Sequence, residues 1–312
     1  MGKVICTAYG DSVDNKGIAI IDEDLRNIEY LLLPGKCNFC IERNNILYAP
    51  VQAEENVIME FEKKDGSYLY KGTYPVSHFY SHGVFFEEKL ILASFSNGVD
   101  AIYDVVTHKE LDVCVHSRKG YETNGRSHYV GVTPDQRHIY SVDNGLQQIY
   151  LYRIMNDRFV IDDVREFSEE NIRLMPYSQY SNCAYLNTEK TNRIYVMEYE
   201  EGKYHIKDIE KMESGEKCFS GGNSISEDGQ RLCVSLRGDN ILNYYQINKD
   251  GSLYLLSRVS CGDMPRDVLL KGDRAYVSCT NDNTIEVYDT KKDRLIKINE
   301  ISVAQPITFA CA

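Results

Sequence analysis

Residues 128–152 read HYVGVTPDQRHIYSVDNGLQQIYLY, and this stretch decides the fold. Tyr129–Val132 is a short run of aromatic and β-branched residues, Pro134–Asp135 makes a turn, and a second run starts at His138. Asp143–Asn144–Gly145 supplies another tight turn, and a third run follows from Gln148. Strand, polar turn, strand, polar turn, strand is an antiparallel meander.

The same pattern recurs along the chain. VICTAYG precedes GIAII (from Val4 and Gly17), ILYAPVQ precedes NVIMEFE (Ile46, Asn56), and LILASFS precedes VDAIYDV (Leu90, Val99). HIYSVDNG precedes QIYLYRI (His138, Gln148), and RIYVMEYE precedes KYHIKDI (Arg193, Lys203). RLCVSLRGDN precedes ILNYYQI (Arg231, Ile241), and RAYVSCTNDN precedes TIEVYDT (Arg274, Thr284). These seven units start roughly 40 to 55 residues apart, the spacing of a four-stranded propeller blade. The expected fold is therefore all-β, a seven-bladed β-propeller with four-stranded blades, in one domain over residues 1–312. Helical periodicity is nearly absent, and residues 162–175 are the one stretch where a helical turn is expected. The chain ends in PITFACA (Pro306–Ala312), a strand start without a partner, while Lys3–Tyr9 reads as a second strand without an inner one. The C-terminal strand is expected to complete the first blade and close the ring.

Composition limits the partners. The net charge of −12 argues against an extended nucleic-acid interface, although a local arginine cluster can still hold a small anion. No stretch approaches the ~18 apolar residues of a membrane span, and MGKVICTAYG has no apolar signal region, so a cytoplasmic location is expected. Ten cysteines, Cys311 among them, are scattered through apolar runs, which suits small buried hydrophobes in a reducing compartment. Cys37 and Cys40 form the one C-x-x-C pair; without a second pair, a structural role is expected and no metal site.

Strand order assigns the faces. Residues just before the inner strands and just after the second strands share one mouth of the channel. That set contains His82, Arg126, His128, Asp143, Asn144, Glu198, Arg237, Asp239, Arg266 and Asn281. Arginines and a histidine converging on one rim of an acidic protein point to a site for a small carboxylate or phosphate. Each also has a plainer use. Arg237 can pair with Asp239, Arg266 with Asp267, His128 can be a satisfied core histidine, and Asp143 can shape its turn.

In these motifs the chain resembles the seven-bladed propeller lactonase family, which includes propeller-type 6-phosphogluconolactonases and carboxymuconate lactonising enzymes. The likeness is strongest in Ser127–Tyr152 and Asn223–Tyr288, through HYVGVTPDQRHIYSVDNG, SLRGDN and MPRDV. It implies that His128, Arg237 and Arg266 carry catalysis or bind substrate, and the other rim residues Arg126, Asp143, Asn144, His82, Glu198 and Asn223 are expected to bind substrate. The implied reaction is hydrolysis or isomerisation of a small anionic lactone without metal or cofactor. Three places depart from the family pattern. Arg126 stands where the first of two histidines is usual. QYSNCAYL, with Asn182 and Cys183, stands for a Pro-Arg-His stretch, and Gly222 with Asn223 stands where an acidic residue precedes the sixth inner strand. A non-catalytic propeller binding a metabolite or protein through the same rim is the alternative these departures leave open.

Overall fold

In the computed structural model, which describes residues 3–22, 25–121, 124–168 and 170–310, the described chain contains strands and no helix. The strands form seven antiparallel sheets of four, each a blade, and the blades form a ring. Six blades take their strands in chain order. The first takes its inner strand, Pro306–Phe309, from the C-terminus, where it pairs with Lys3–Ala8. Thr7 and Thr308 add a side-chain bond across this seam, Oγ1 to Oγ1 at 3.0 Å. The expected closure is what the structure shows; Cys311 lies outside the described residues.

Sequence alternation explains the blades. The second strand of every blade is almost wholly buried, because both of its faces pack on neighbouring blades. Eight tyrosines are among the largest fully buried side chains, including Tyr140 and Tyr152 of the fourth blade, and they fill the wedges between blades. Outer strands are exposed and charged, which protects the ring from edge-to-edge pairing.

The fifth blade corrects the sequence reading. RIYVMEYE and KYHIKDI are its third and outer strands, not its second and third. Its second strand is Cys183–Asn187 and its inner strand only Tyr177–Ser178, preceded by an extended entry bridged at Ile172 to Thr188. The inner strand is short and preceded by Pro176, so its apolar pattern is weak. The same shift removes the expected helical turn: residues 162–166 finish an outer strand, and residues 170–175 lie in the loop into this blade.

Candidate functional site

The inner strands line a channel cavity of about 890 Å³. At its mouth end the backbone bulges. His128 lies in a register shift between Ser127 and Tyr129, and Arg266 in one between Pro265 and Asp267. A bulge re-aims one side chain out of the alternation, and here it brings His128 and Arg266 to the cavity with Arg173, at the same level of the fifth blade. The sixth blade carries Gly221 and Gly222 in its bulge. A Cβ on Gly222 would lie 2.4 Å from Asp267 Oδ1, so close approach of two blades requires glycine where the family pattern has an acid.

Glu189 organises the cations. Its Oε1 accepts hydrogen bonds from Arg173 Nη1 and from Arg237 Nη2, the latter at 2.6 Å. Burial opposes ionisation of Glu189, but Arg173, Arg237 and His128 outweigh it and hold the carboxyl at about 2. Burial, then Arg173, lowers Arg237 to about 10, and the guanidinium remains charged. Arg266 has no carboxylate within ion-pair distance among the described residues, and it stands over the Tyr9 ring at 5.9 Å. The second strand of the sixth blade thus sends Arg237 to Glu189 and not to Asp239, whose Oδ2 accepts the Gly215 amide at 2.7 Å.

Burial, and then Arg173, push the His128 imidazole well below its ordinary range, so it is neutral at pH 7. Buried polar atoms at this end stand without hydrogen-bond partners among the described residues: His128 Nδ1, Arg173 Nε, Arg237 Nε and Asn223 Oδ1. Such orphaned atoms are rare in native interiors, and clustered donors and acceptors of this kind suit a ligand. Asp267 lines the same end; burial raises its carboxyl to about 6, while its Oδ2 accepts the Phe309 amide at 2.9 Å.

The structure therefore brings His128, Arg237, Arg266 and Asn223 together and adds Arg173, Glu189 and Asp267, which the sequence reading missed. Asn182 sits in the turn at the far end of the fifth blade, and Arg173 takes the mouth position that QYSNCAYL had been given. The signal was in the sequence as NIRLMP followed by LNTEK, which flank the second strand Cys183–Asn187 of this blade.

Other expected residues lie elsewhere. Glu198 pairs across its strand with Cys183 and carries Lys207 at 2.9 Å, at the end of the blade opposite the mouth. The one-strand slip had inverted it. Asp143 is fully buried and bonds His116 Nδ1 at 2.7 Å, with the Arg126 and Leu146 amides, so it sits between blades. Asn144 is buried too and donates to the Ile172 carbonyl at 3.0 Å. His82 lies one residue deeper than His128, pairs with Ala93 and stacks on Tyr129 at 4.2 Å. Burial lowers its imidazole to about 3. Arg126 is exposed on the rim, 5.7 Å from the Phe95 ring, and Asn281 bonds Asp263 on the surface. Cys37 and Cys40 are core residues between the first and second blades, and the Cys37 thiol donates to the Phe39 carbonyl at 3.1 Å.

With this geometry in place, comparison with known proteins gives a direct answer. Residues 41–309 match the family model described as lactonase, 7-bladed beta-propeller. The chain belongs to this lactonase family. A relative in the family, a 6-phosphogluconolactonase of Bacillus subtilis, is 23% identical over 223 residues, 66% of this chain and 63% of that one. The aligned part thus spans less than two thirds of that relative's length. Two solved structures share the fold. A protein from Lactobacillus plantarum has a TM-score of 0.86 at 19% identity, covering 99% of this chain and 98% of its own. The periplasmic gluconolactonase of Pseudomonas aeruginosa has a TM-score of 0.82 at 17% identity, covering 98% of both chains. At these identities the likeness concerns the fold alone. No helix among the described residues is long and apolar enough to cross a membrane.

Proposed function

We propose that this chain hydrolyses a small anionic lactone, sugar-derived and similar to 6-phosphogluconolactone, at the mouth of its channel. The observation that carries this reading is the neutral His128 imidazole, with Nδ1 unpartnered, beside the guanidinium groups of Arg173, Arg237 and Arg266. His128 takes a proton from water as the oxygen attacks the lactone carbonyl carbon. Arg266, whose charge is unspent on a carboxylate, stabilises the oxyanion of the tetrahedral intermediate. Collapse breaks the bond from the acyl carbon to the ring oxygen, and the imidazolium returns its proton to the departing alkoxide. The product is the open hydroxy acid, which releases one proton to solvent at neutral pH. Arg173 and Arg237 hold the substrate's phosphate or carboxylate, with Glu189 Oε1 bridging them. The scheme calls on no metal or cofactor. A cytoplasmic setting fits the nine described cysteines, all free.

A second reading, a non-catalytic binder of a metabolite or protein at the same rim, is favoured by Arg126 standing exposed where the family has a histidine. Calorimetric titration with the product-like anion 6-phosphogluconate tests what the two share. Binding is expected in the wild type and at least tenfold weaker in Arg266→Ala. Equal binding by both places the anion elsewhere.

A further inference from the structure

The channel behind the mouth differs in chemistry from the mouth itself. Along this inner strand Asp267, Leu269 and Lys271 are half-buried at the channel, while Val268 and Leu270, which also border it, are buried between blades. One step below the polar ring, the strands present Val84, Pro176, Ile225, Leu269 and Ala310 to the cavity. Phe39, Phe85 and Tyr129 extend this belt. From Arg266 to Lys271 the strand runs roughly 17 Å, at about 3.3 Å per residue. The far end opens among Lys3, Arg43, Lys63 and Lys271, with Glu42 and Glu227. A sugar-derived lactone has no use for such a belt, and the cavity of about 890 Å³ is far larger than the mouth cluster needs.

We infer that the channel is a binding site for an anion with an apolar tail, its head on Arg266 and Arg173 and its body in the belt. Two independent features point to it. Arg173 is 8% exposed, lines the cavity, and keeps its Nε without a partner. Arg266, on the neighbouring wall, has no carboxylate within ion-pair distance among the described residues. Asp267, next to it in the chain, is engaged by the Phe309 amide. Desolvated cations at one end and apolar walls behind them match a medium-chain carboxylate in both polarity and length. Such a ligand shares its guanidinium groups with the proposed lactone and therefore competes with it from the channel side.

The test is displacement of dansyl-labelled undecanoate from the full chain, read by its emission. Three competitors are used: decanoate, the uncharged decanol, and gluconate, a head without a tail. Decanoate is expected to displace the probe, and the other two to be at least tenfold weaker. Ile225→Asp and Leu269→Asp, which charge the belt, are expected to weaken probe binding at least tenfold. The competitor series uses the wild type alone, so it decides the matter even where a belt variant does not fold. Failure of the wild type to bind the probe overturns the inference, as do decanol matching decanoate and folded belt variants binding unchanged. The readout is independent of turnover. Lactone hydrolysis without decanoate binding sinks the channel site and leaves the lactonase reading, and decanoate binding without hydrolysis does the reverse.

Discussion

Arg237 Nη2 meets Glu189 Oε1 at 2.6 Å across two neighbouring blades, and the same oxygen receives Arg173. One carboxylate thus fixes two guanidinium groups that would otherwise repel. The Glu189 carboxyl is held at about 2, well below its ordinary 4.5, so the stabilisation it brings is complete above pH 4.5. It is lost as pH falls towards about 2. Glu189→Gln is expected to cost about 3 kcal/mol at pH 7 and to flatten the acid limb of the melting curve. Thermal melts from pH 7 to pH 2.5 on both proteins check this.

His128 remains neutral well below the ordinary imidazole range, so its function as a base is expected to persist as pH falls from 7.5 to 6. Asp267, raised to about 6, titrates in this window. An inflection in kcat/KM near pH 6 is therefore expected to vanish in Asp267→Asn. Retention of that inflection assigns it to another group. Loss of activity in His128→Ala is expected to be about 10²- to 10⁴-fold.

His116 lies between Asp100 and Asp143, at 2.8 and 2.7 Å, with the Tyr152 hydroxyl also at 2.8 Å. Burial disfavours its charge, but the two aspartates prevail and raise it to about 9. A raised folded pKa gives stability that is complete below pH 6.5 and lost as pH rises through about 9. His116→Gln is expected to lose roughly 3–5 kcal/mol and this alkaline slope together. Asp143→Asn is expected to lower Tm while leaving KM for lactone where it was; a raised KM with unchanged Tm restores Asp143 to the binding site.

Ile307 and Phe309 of the closing strand are 1% and 5% exposed. Removing Pro306–Ala312 uncovers both, at about 1.5–3 kcal/mol each, and leaves the edge of Lys3–Ala8 unpaired. The shortened chain is expected to melt at much lower temperature and to aggregate. A melt like that of the full chain contradicts ring closure as the source of stability.

What the sequence disclosed follows from where its periodicity is strong. Second strands such as HIYSV and RAYVSC are buried on both faces and read as apolar runs, and they gave the blade count and the closing strand. The fifth blade failed because its inner strand is two residues long and preceded by Pro176, so the stronger outer pair captured the register. That slip moved Glu198 to the wrong face and hid Arg173 and Glu189. His128, Arg237 and Arg266 were legible from short motifs, but their partners were not. The bond from Arg237 to Glu189 joins residues far apart in sequence, where only the local partner Asp239 is legible.

Proton release on adding 6-phosphogluconolactone, gluconolactone and a muconolactone to wild type, His128→Ala and Arg266→Ala tests the proposed activity most directly. The expected result is turnover of a phosphorylated or carboxylated lactone by the wild type, lower by about 100-fold or more in both variants. No turnover of any of the three by the wild type, or turnover untouched by either substitution, would contradict hydrolysis at this mouth.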